Sequence, residues 1–254
     1  MGTDSPKTVY FFASCLVDLL YPAAGLSAMN ILRQQGVKVI FPDNQGCCGQ
    51  PAFNSGYREE AYGVARALMN RFPKDIPVVV PSASCAGMLK HHWPELFAGR
   101  TDESLALDIA SRTFELTEYL VTELDIKLSD LGEPLQVAIH SSCSAQREMR
   151  VSQHIESLVG QLEQVDVIKQ QRQQECCGFG GTFSIKQADI SGAMVEDKTR
   201  ALRDTGAQIV ISQDCGCLMN IGTAFEKQSL VNKQSAPVTK HIAEFIWERC
   251  HAAD

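Results

Sequence analysis

The sequence predicts an α/β fold of two related lobes, each a parallel sheet flanked by helices, with cysteine loops at the C-terminal ends of the strands. Three observations carry this. Short runs rich in Val and Ile alternate with longer segments of helical spacing, the pattern of buried parallel strands covered by helices. The order of elements in the first half recurs in the second. Every cysteine except Cys250 falls in that repeat, just past a strand.

The first half opens on Val9-Tyr10-Phe11-Phe12-Ala13, a buried strand feeding Ser14-Cys15. Residues 19–35 have helical spacing, and Gly36 is a natural stop. Val37-Lys38-Val39-Ile40-Phe41 is the second strand, ended by Pro42 before Gly46-Cys47-Cys48-Gly49. Residues 55–70 form a helix with Glu59 and Glu60 in its first turns. Pro77-Val78-Val79-Val80 is the third strand and runs into Ser84-Cys85. A short helix over 88–93 and a longer one over 104–124 complete the half.

The second half repeats this order. Gln136-Val137-Ala138-Ile139-His140 is a strand ending at Ser142-Cys143. A helix over 152–162 and a weaker strand over 165–168 lead to Glu175-Cys176-Cys177-Gly178-Phe179-Gly180-Gly181. A helix over 186–205 follows. Then comes the strand Ala207-Gln208-Ile209-Val210-Ile211, which ends at Asp214-Cys215-Gly216-Cys217. The tail over 240–247 has helical spacing and is expected to pack on the sheet. The domain limits expected are 8–130 and 131–250.

Composition narrows the function. A net charge of −7 disfavours nucleic acid and anionic membranes, which attract basic surfaces. No apolar run approaches the ~20 residues of a spanning helix, and the start lacks the basic and apolar regions of a signal peptide. The ten cysteines therefore read as cytoplasmic metal or redox thiols rather than as disulfides.

Adjacent cysteines are poor packing choices, because neighbouring side chains on an extended backbone point apart; a following Gly lets the chain turn and aim both at one object. Four explanations compete. Small buried hydrophobes do not account for a duplicated loop pattern. Structural zinc prefers ligands spaced by two to four residues. Thiol–disulfide exchange would strain a bridge between neighbours. An iron–sulfur cluster is large enough for adjacent thiolates to reach different irons and is preferred. His91-His92 and His140 read as packing or surface groups, and His241 has no argued role.

The repeated order of lone Cys, Cys-Cys-Gly and lone Cys carries a resemblance, together with the phrases Gly46-Cys47-Cys48-Gly49-Gln50-Pro51-Ala52 and Cys176-Cys177-Gly178-Phe179-Gly180-Gly181-Thr182-Phe183-Ser184. It resembles the cysteine-rich CCG domain found in heterodisulfide reductase, and in the iron–sulfur subunits of glycolate oxidase and anaerobic glycerol-3-phosphate dehydrogenase. The whole chain is similar to the lactate utilisation protein A subgroup. The resemblance implies an electron-transfer subunit, not an autonomous enzyme, of a complex oxidising L-lactate to pyruvate. It would work with two other subunits, one of them carrying iron–sulfur clusters. Alternatives are another 2-hydroxy-acid or heterodisulfide-type oxidoreductase, or a zinc-stabilised assembly scaffold.

The ligand set implied is Cys15, Cys47, Cys48 and Cys85 in the first lobe. In the second it is Cys143, Cys176, Cys177 and Cys217, with Cys215 as an alternative or fifth thiol on the same side of an extended chain. The heterodisulfide reductase form ends in C-x-x-C; here Cys85-Ala86-Gly87-Met88 lacks the last thiol and Cys215-Gly216-Cys217 alters the spacing. Four ligands per lobe suit one [4Fe–4S] cluster in each. The second lobe, with its spare thiol and Gly-rich loop, is expected to hold its cluster more firmly, and a partner face that is basic or apolar is expected to dock.

Overall fold

The computed structural model describes residues 7–233 and 235–251. Its first half runs β1 (Thr8–Phe11), α1 (Ser14–Leu20), α2 (Pro22–Gln34), β2 (Lys38–Ile40), α3 (Gln50–Asn54), α4 (Arg58–Met69), β3 (Val78–Val80) and α5 (Ala83–Gly87). A π-helical turn over Met88–His92 leads to α6 (Trp93–Phe97), α7 (Glu103–Ser111), β4 (Thr113–Glu115) and α8 (Leu116–Thr122). The second half runs β5 (Leu135–His140), a π-helical turn over Ser144–Glu148, α9 (Ser152–Val159), β6 (Val165–Val167), α10 (Phe183–Lys186) and α11 (Ala188–Arg203). It ends with β7 (Ile209–Ser212), α12 (Cys215–Asn232), β8 (Val238–His241) and α13 (Ile242–Cys250).

Two four-stranded sheets result, in the orders β2-β1-β3-β4 and β6-β5-β7-β8. Every pairing is parallel. The α/β class and the repeat of parallel sheets are therefore as expected. Two strands were not: β4 interrupts the helix expected over 104–124, and β8 occupies the start of the helical tail. The expected helix over 19–35 is two helices, α1 and α2, bent by 110° at Tyr21. Pro22 opens the second, a position where its missing N–H costs nothing.

Side chains alternate across each strand with period two, and the alternation sorts them into separate cores. Val9 and Phe11 of β1, Val79 of β3, Val137 and Ile139 of β5 and Ile211 of β7 share one core with Ile31 and Leu32 of α2 and Phe245 and Ile246 of α13. Tyr10, Phe12, Val78 and Val80 face a second core under α4 and α6. Ala138 and Val210 face a third under α11 and α12. The central core belongs to both sheets, so the halves are fused face to face. Arg249 adds a buried clasp, its guanidinium 2.6 Å from Asp130 and bonded to the Glu133 carbonyl at 2.7 Å. No single helix among the described residues is long and apolar enough to cross a membrane.

Candidate metal centre

The strand ends deliver the cysteines. Cys15 lies in the first turn of α1, directly past β1, where Ser14 holds a left-handed φ of 57°. Cys47 and Cys48 occupy the loop after β2, and Gln45 pins that loop to β1 by donating to the Phe11 carbonyl and accepting from the Ala13 N–H, both at 3.1 Å. Cys85 is in the first turn of α5. The second half repeats this with Cys143 past β5, Cys176 and Cys177 after β6, and Cys217 in the first turn of α12.

In each half four sulfurs form a continuous chain. Cys48 Sγ is 3.4 Å from Cys85 Sγ, and Cys47 bonds to both Cys15 and Cys48. Cys177 Sγ is 3.1 Å from Cys217 Sγ, and Cys176 bonds to both Cys143 and Cys177. The second residue of the pair is oriented through its carbonyl: Trp93 Nε1 holds that of Cys48 at 3.1 Å, and Asn220 Nδ2 that of Cys177 at 2.8 Å.

The glycine after each pair is required. Gly49 has φ +93° and Gly178 φ +83°, and a Cβ on either would sit 3.0 Å and 2.8 Å from the carbonyl oxygens of Ala61 and Ser191. The turn aims the Gly49 N–H at Cys47 Sγ, 3.5 Å away, and the Gly178 N–H at Cys176 Sγ, 3.3 Å away. Charge follows the same geometry. Donation from Cys15 and Cys48 lowers the Cys47 thiol to about 3, and donation from Cys143 and Cys177 lowers Cys176 to about 2. Their donors Cys15, Cys48, Cys143 and Cys177 are correspondingly raised, with burial adding to the effect. Each half thus gathers four sulfurs around one whose thiolate form its neighbours favour, a donor set suited to a thiophilic metal centre.

Cys215 is elsewhere. Register makes Ile211 the counterpart of Val79, since these pair with Ile139 and Phe11 respectively. Cys217 then corresponds to Cys85, and Cys215 to Ala83. Cys215 packs in the central core, and burial raises its thiol well above its ordinary value. The expected extended chain here is helical, and residues two apart on a helix do not share a face. Met88, where a fifth first-half thiol would fall, is buried in the second core. Cys250 is half-buried at the end of α13, away from both clusters.

Sequence reasoning missed four polar groups. His140, weighed as packing or surface, is fully buried and has one ring nitrogen within 4.8 Å of both Cys177 Sγ and Cys217 Sγ; neither ring nitrogen has a hydrogen-bond partner among the described residues. Lys198 is buried and donates to the Arg172 carbonyl at 2.7 Å. Asp214 accepts from Ser82, Ser84 and Ser142, joining the two thiol sites. Glu115 accepts from the N–H groups of Thr117 and Glu118 and from the Gln213 amide. The available signal was asymmetry between the aligned halves: His140 stands where the first half has Phe12, and Asp214 where it has Ser82. His241 caps α13, its Nδ1 accepting from the Ala243 N–H at 3.2 Å.

A groove of about 330 Å³ opens on the first thiol site, lined by Cys15, Cys47, Leu19 and Phe41 among others. Leu19 and Phe41 are exposed there, and Leu26 is exposed in an adjoining groove that Phe41 also lines. Polar side chains, Ser141, Gln146, Arg147 and Gln173 among them, line a second groove of about 420 Å³ beside the second half's cysteine loops.

Comparison with known proteins agrees with this duplication. Residues 9–90 and 137–222 each match the family described as the cysteine-rich domain, CCG. The chain is 42% identical over 241 residues to lactate utilization protein A of Shouchella clausii, covering 94% of this chain and 98% of that one. It is 40% identical over 242 residues to lactate utilization protein A 2 of Bacillus cereus strain AH820, covering 94% and 97%. A hypothetical protein from Helicobacter pylori shares the fold, with a TM-score of 0.68 at 13% identity; the match covers 98% of this chain and half of that one. Two copies of the cysteine-rich domain, spread over a length shared with these relatives, place the chain in the CCG family, in its lactate utilisation protein A group.

Proposed function

We propose that the chain is an iron–sulfur electron-transfer subunit of a system that oxidises L-lactate to pyruvate. Cys15, Cys47, Cys48 and Cys85 would hold one [4Fe–4S] cluster, and Cys143, Cys176, Cys177 and Cys217 another, in domains of about residues 8–130 and 131–250. The observation that carries this reading is the pair of four-sulfur chains, each with a backbone N–H aimed at one of its sulfurs. Four converging thiols fit the cluster's usual donor set. The substrate comes from the names of the relatives.

Such a cluster supplies one-electron transfer. The chain's residues do the rest. Gly49 and Gly178 turn the loops so that adjacent cysteines face one centre, and their N–H groups offset charge on sulfur. The sheets and the central core fix the strand ends from which all eight thiols project. The exposed Leu19 and Phe41 beside Cys15, continued by Leu26 in the adjoining groove, suit the docking of a partner subunit through which electrons pass. Two partners are proposed, one carrying iron–sulfur clusters, and the complex would be cytoplasmic.

A second reading has its own observation. His140 with Cys177 and Cys217 is also a fair donor set for structural zinc, as in an assembly scaffold. Iron, acid-labile sulfide and zinc analysis of anaerobically purified protein separates the two. About four irons and four sulfides per half, with a paramagnetic signal after reduction, is the expected result. Colourless protein with stoichiometric zinc overturns it.

A further inference from the structure

The halves are built alike around their thiols but differ in what stands behind them. Phe12 and His140 are equivalent by register, each following the strand residue, Phe11 or Ile139, that pairs with the next strand and each standing three residues before the lone cysteine. Leu68 and Lys198 are also equivalent. Gly49 packs on the backbone of Ala61 and Gly178 on that of Ser191, and Leu68 and Lys198 each lie seven residues further along the same helix. All four are buried. The first site is thus backed by a ring and an aliphatic chain, and the second by an imidazole and an amine.

Neither nitrogen of His140 meets a hydrogen-bond partner among the described residues, a costly state for a buried polar ring. One of them lies within 4.8 Å of the Cys177 and Cys217 sulfurs. Among the described residues Lys198 Nζ donates only to uncharged oxygens, the Arg172 carbonyl at 2.7 Å and Gln170 Oε1 at 3.4 Å. A buried amine without a carboxylate contact is expensive unless a negative charge stands near it. Burial lowers its pKa, and the charges that pull back towards its charged form are Glu175 and then Cys177, Cys176 and Cys217. His140 thus has no hydrogen-bond partner and Lys198 no carboxylate contact among the described residues, and an anionic centre on these thiols would relieve both.

We propose that His140 and Lys198 make the second half the electron-accepting end of the chain, holding its centre at a higher reduction potential than that of the first. This rests on the iron–sulfur reading above. Hydrogen bonds to cluster sulfur and nearby positive charge both stabilise the reduced, more negative state. Phe12 and Leu68 offer neither. Asp214 opposes the effect, but its carboxylate is bonded by Ser82 and Ser84 of the first half as well as Ser142 of the second, so its charge is shared across the junction. With a centre loaded in each half, one electron passing between them would oxidise the first and reduce the second, with no bond made or broken in the chain.

The test is a reductive titration followed by paramagnetic resonance on anaerobically purified full-length protein, with iron and sulfide measured for every sample. Cys48→Ser and Cys177→Ser assign the two signals, each removing one. The signal lost in Cys177→Ser is expected to appear first as the potential falls. His140→Phe, copying the first half, should shift that signal's reduction equilibrium at least tenfold towards the oxidised form, about 59 mV for one electron, leaving the other signal in place. His140→Gln, which keeps an N–H donor, should restore most of the shift; Lys198→Leu should move the same signal in the same direction as His140→Phe. If His140→Phe fails to load, the order of the two signals in the natural protein and the His140→Gln and Lys198→Leu titrations decide. Equal or reversed potentials in iron-loaded protein, or an unmoved signal in loaded His140→Phe, overturn this inference alone. Zinc-loaded protein without iron overturns the iron–sulfur reading and this inference with it.

Discussion

The carboxylate of Asp214, in the second half, accepts a hydrogen bond of 2.6 Å from the hydroxyl of Ser84 in the first. Ser84 precedes Cys85, and Asp214 stands three residues before Cys217, so the contact ties the two thiol sites at their nearest helices. The same carboxylate accepts from the Ser84 N–H at 3.0 Å, Ser82 Oγ at 3.1 Å and Ser142 Oγ at 2.7 Å. Asp214 is the residue before α12, a favoured capping position, yet makes no side-chain cap. Its oxygens are committed to the junction instead.

Asp214→Ala should therefore act on assembly of the halves more than on either sheet. It strips three hydroxyls, those of Ser82 and Ser142 buried, and one N–H of their acceptor, at an expected cost of about 3 kcal/mol or more in denaturant unfolding. Asp214→Asn, which keeps an acceptor oxygen, should cost less. Equal stability of the Ala variant and the natural protein would show that the junction contributes nothing.

Glu115 gives a pH dependence with a definite sign. Burial pushes its carboxyl up to about 7 from 4.5, against the hydrogen bonds from Thr117 and Glu118. The folded state therefore holds a proton that the unfolded state releases near 4.5. The stability this provides is fully present below about 4.5 and is lost as pH rises through 7, by on the order of 3 kcal/mol. The Oε1 atoms of Glu115 and Gln213 are both buried without a partner among the described residues, and a Gln at 115 has an N–H to offer Gln213 Oε1. Glu115→Gln is expected to flatten the profile between pH 5 and 7.5 and to be the more stable form at pH 7.5. Parallel profiles for the two proteins would contradict this.

The two glycines of the second cysteine region should behave oppositely. A Cβ at Gly178 meets the Ser191 carbonyl oxygen at 2.8 Å, and its φ is +83°. Gly178→Ala should destabilise by about 2 kcal/mol or more and lower the metal content of the second half. Gly192, exposed in α11, has nothing within 4 Å of a Cβ. Gly192→Ala should stabilise by about 0.5–1 kcal/mol. Both are read by thermal or denaturant unfolding, and a milder effect at Gly178 than at an ordinary helix position would mean that the loop turns by another route.

The thiol arrangement was legible in the sequence because it is written twice, and a duplicated Cys-Cys-Gly has no bland explanation in packing. The strands β1, β2, β3, β5 and β7 were legible as apolar runs. β4 was not: Thr113-Phe114-Glu115 is three residues long, lies between helical segments, and carries an acid into a fully buried position. Its Glu115 is the cap of α8, a tertiary reason that periodicity does not express. β8 was hidden in the same way by Lys240 and His241. His140 read as a surface or packing histidine because its neighbours in sequence are not its neighbours in space. Only the comparison with Phe12, position by position, marks it as different.

The cysteines at 215 and 217 allow a sharp test of how the second site is made. Both lie in the first turn of α12, but the helix sends them to different surroundings. Cys217 is 3.1 Å from Cys177 and aligns with Cys85, which lies 3.4 Å from Cys48. Cys215 aligns with Ala83 and is packed among apolar side chains of the central core. Cys217→Ser should remove most of the iron and the paramagnetic signal of the second half while leaving those of the first. Cys215→Ser should leave both signals and instead lower stability by about 1–3 kcal/mol, because it buries a hydroxyl in an apolar site. Cys215→Ala, which reproduces the first half's residue at that position, should retain both signals with a smaller loss. Loss of the second signal in Cys215→Ala with Cys217 intact would mean that the helix start rearranges on loading to offer the other thiol.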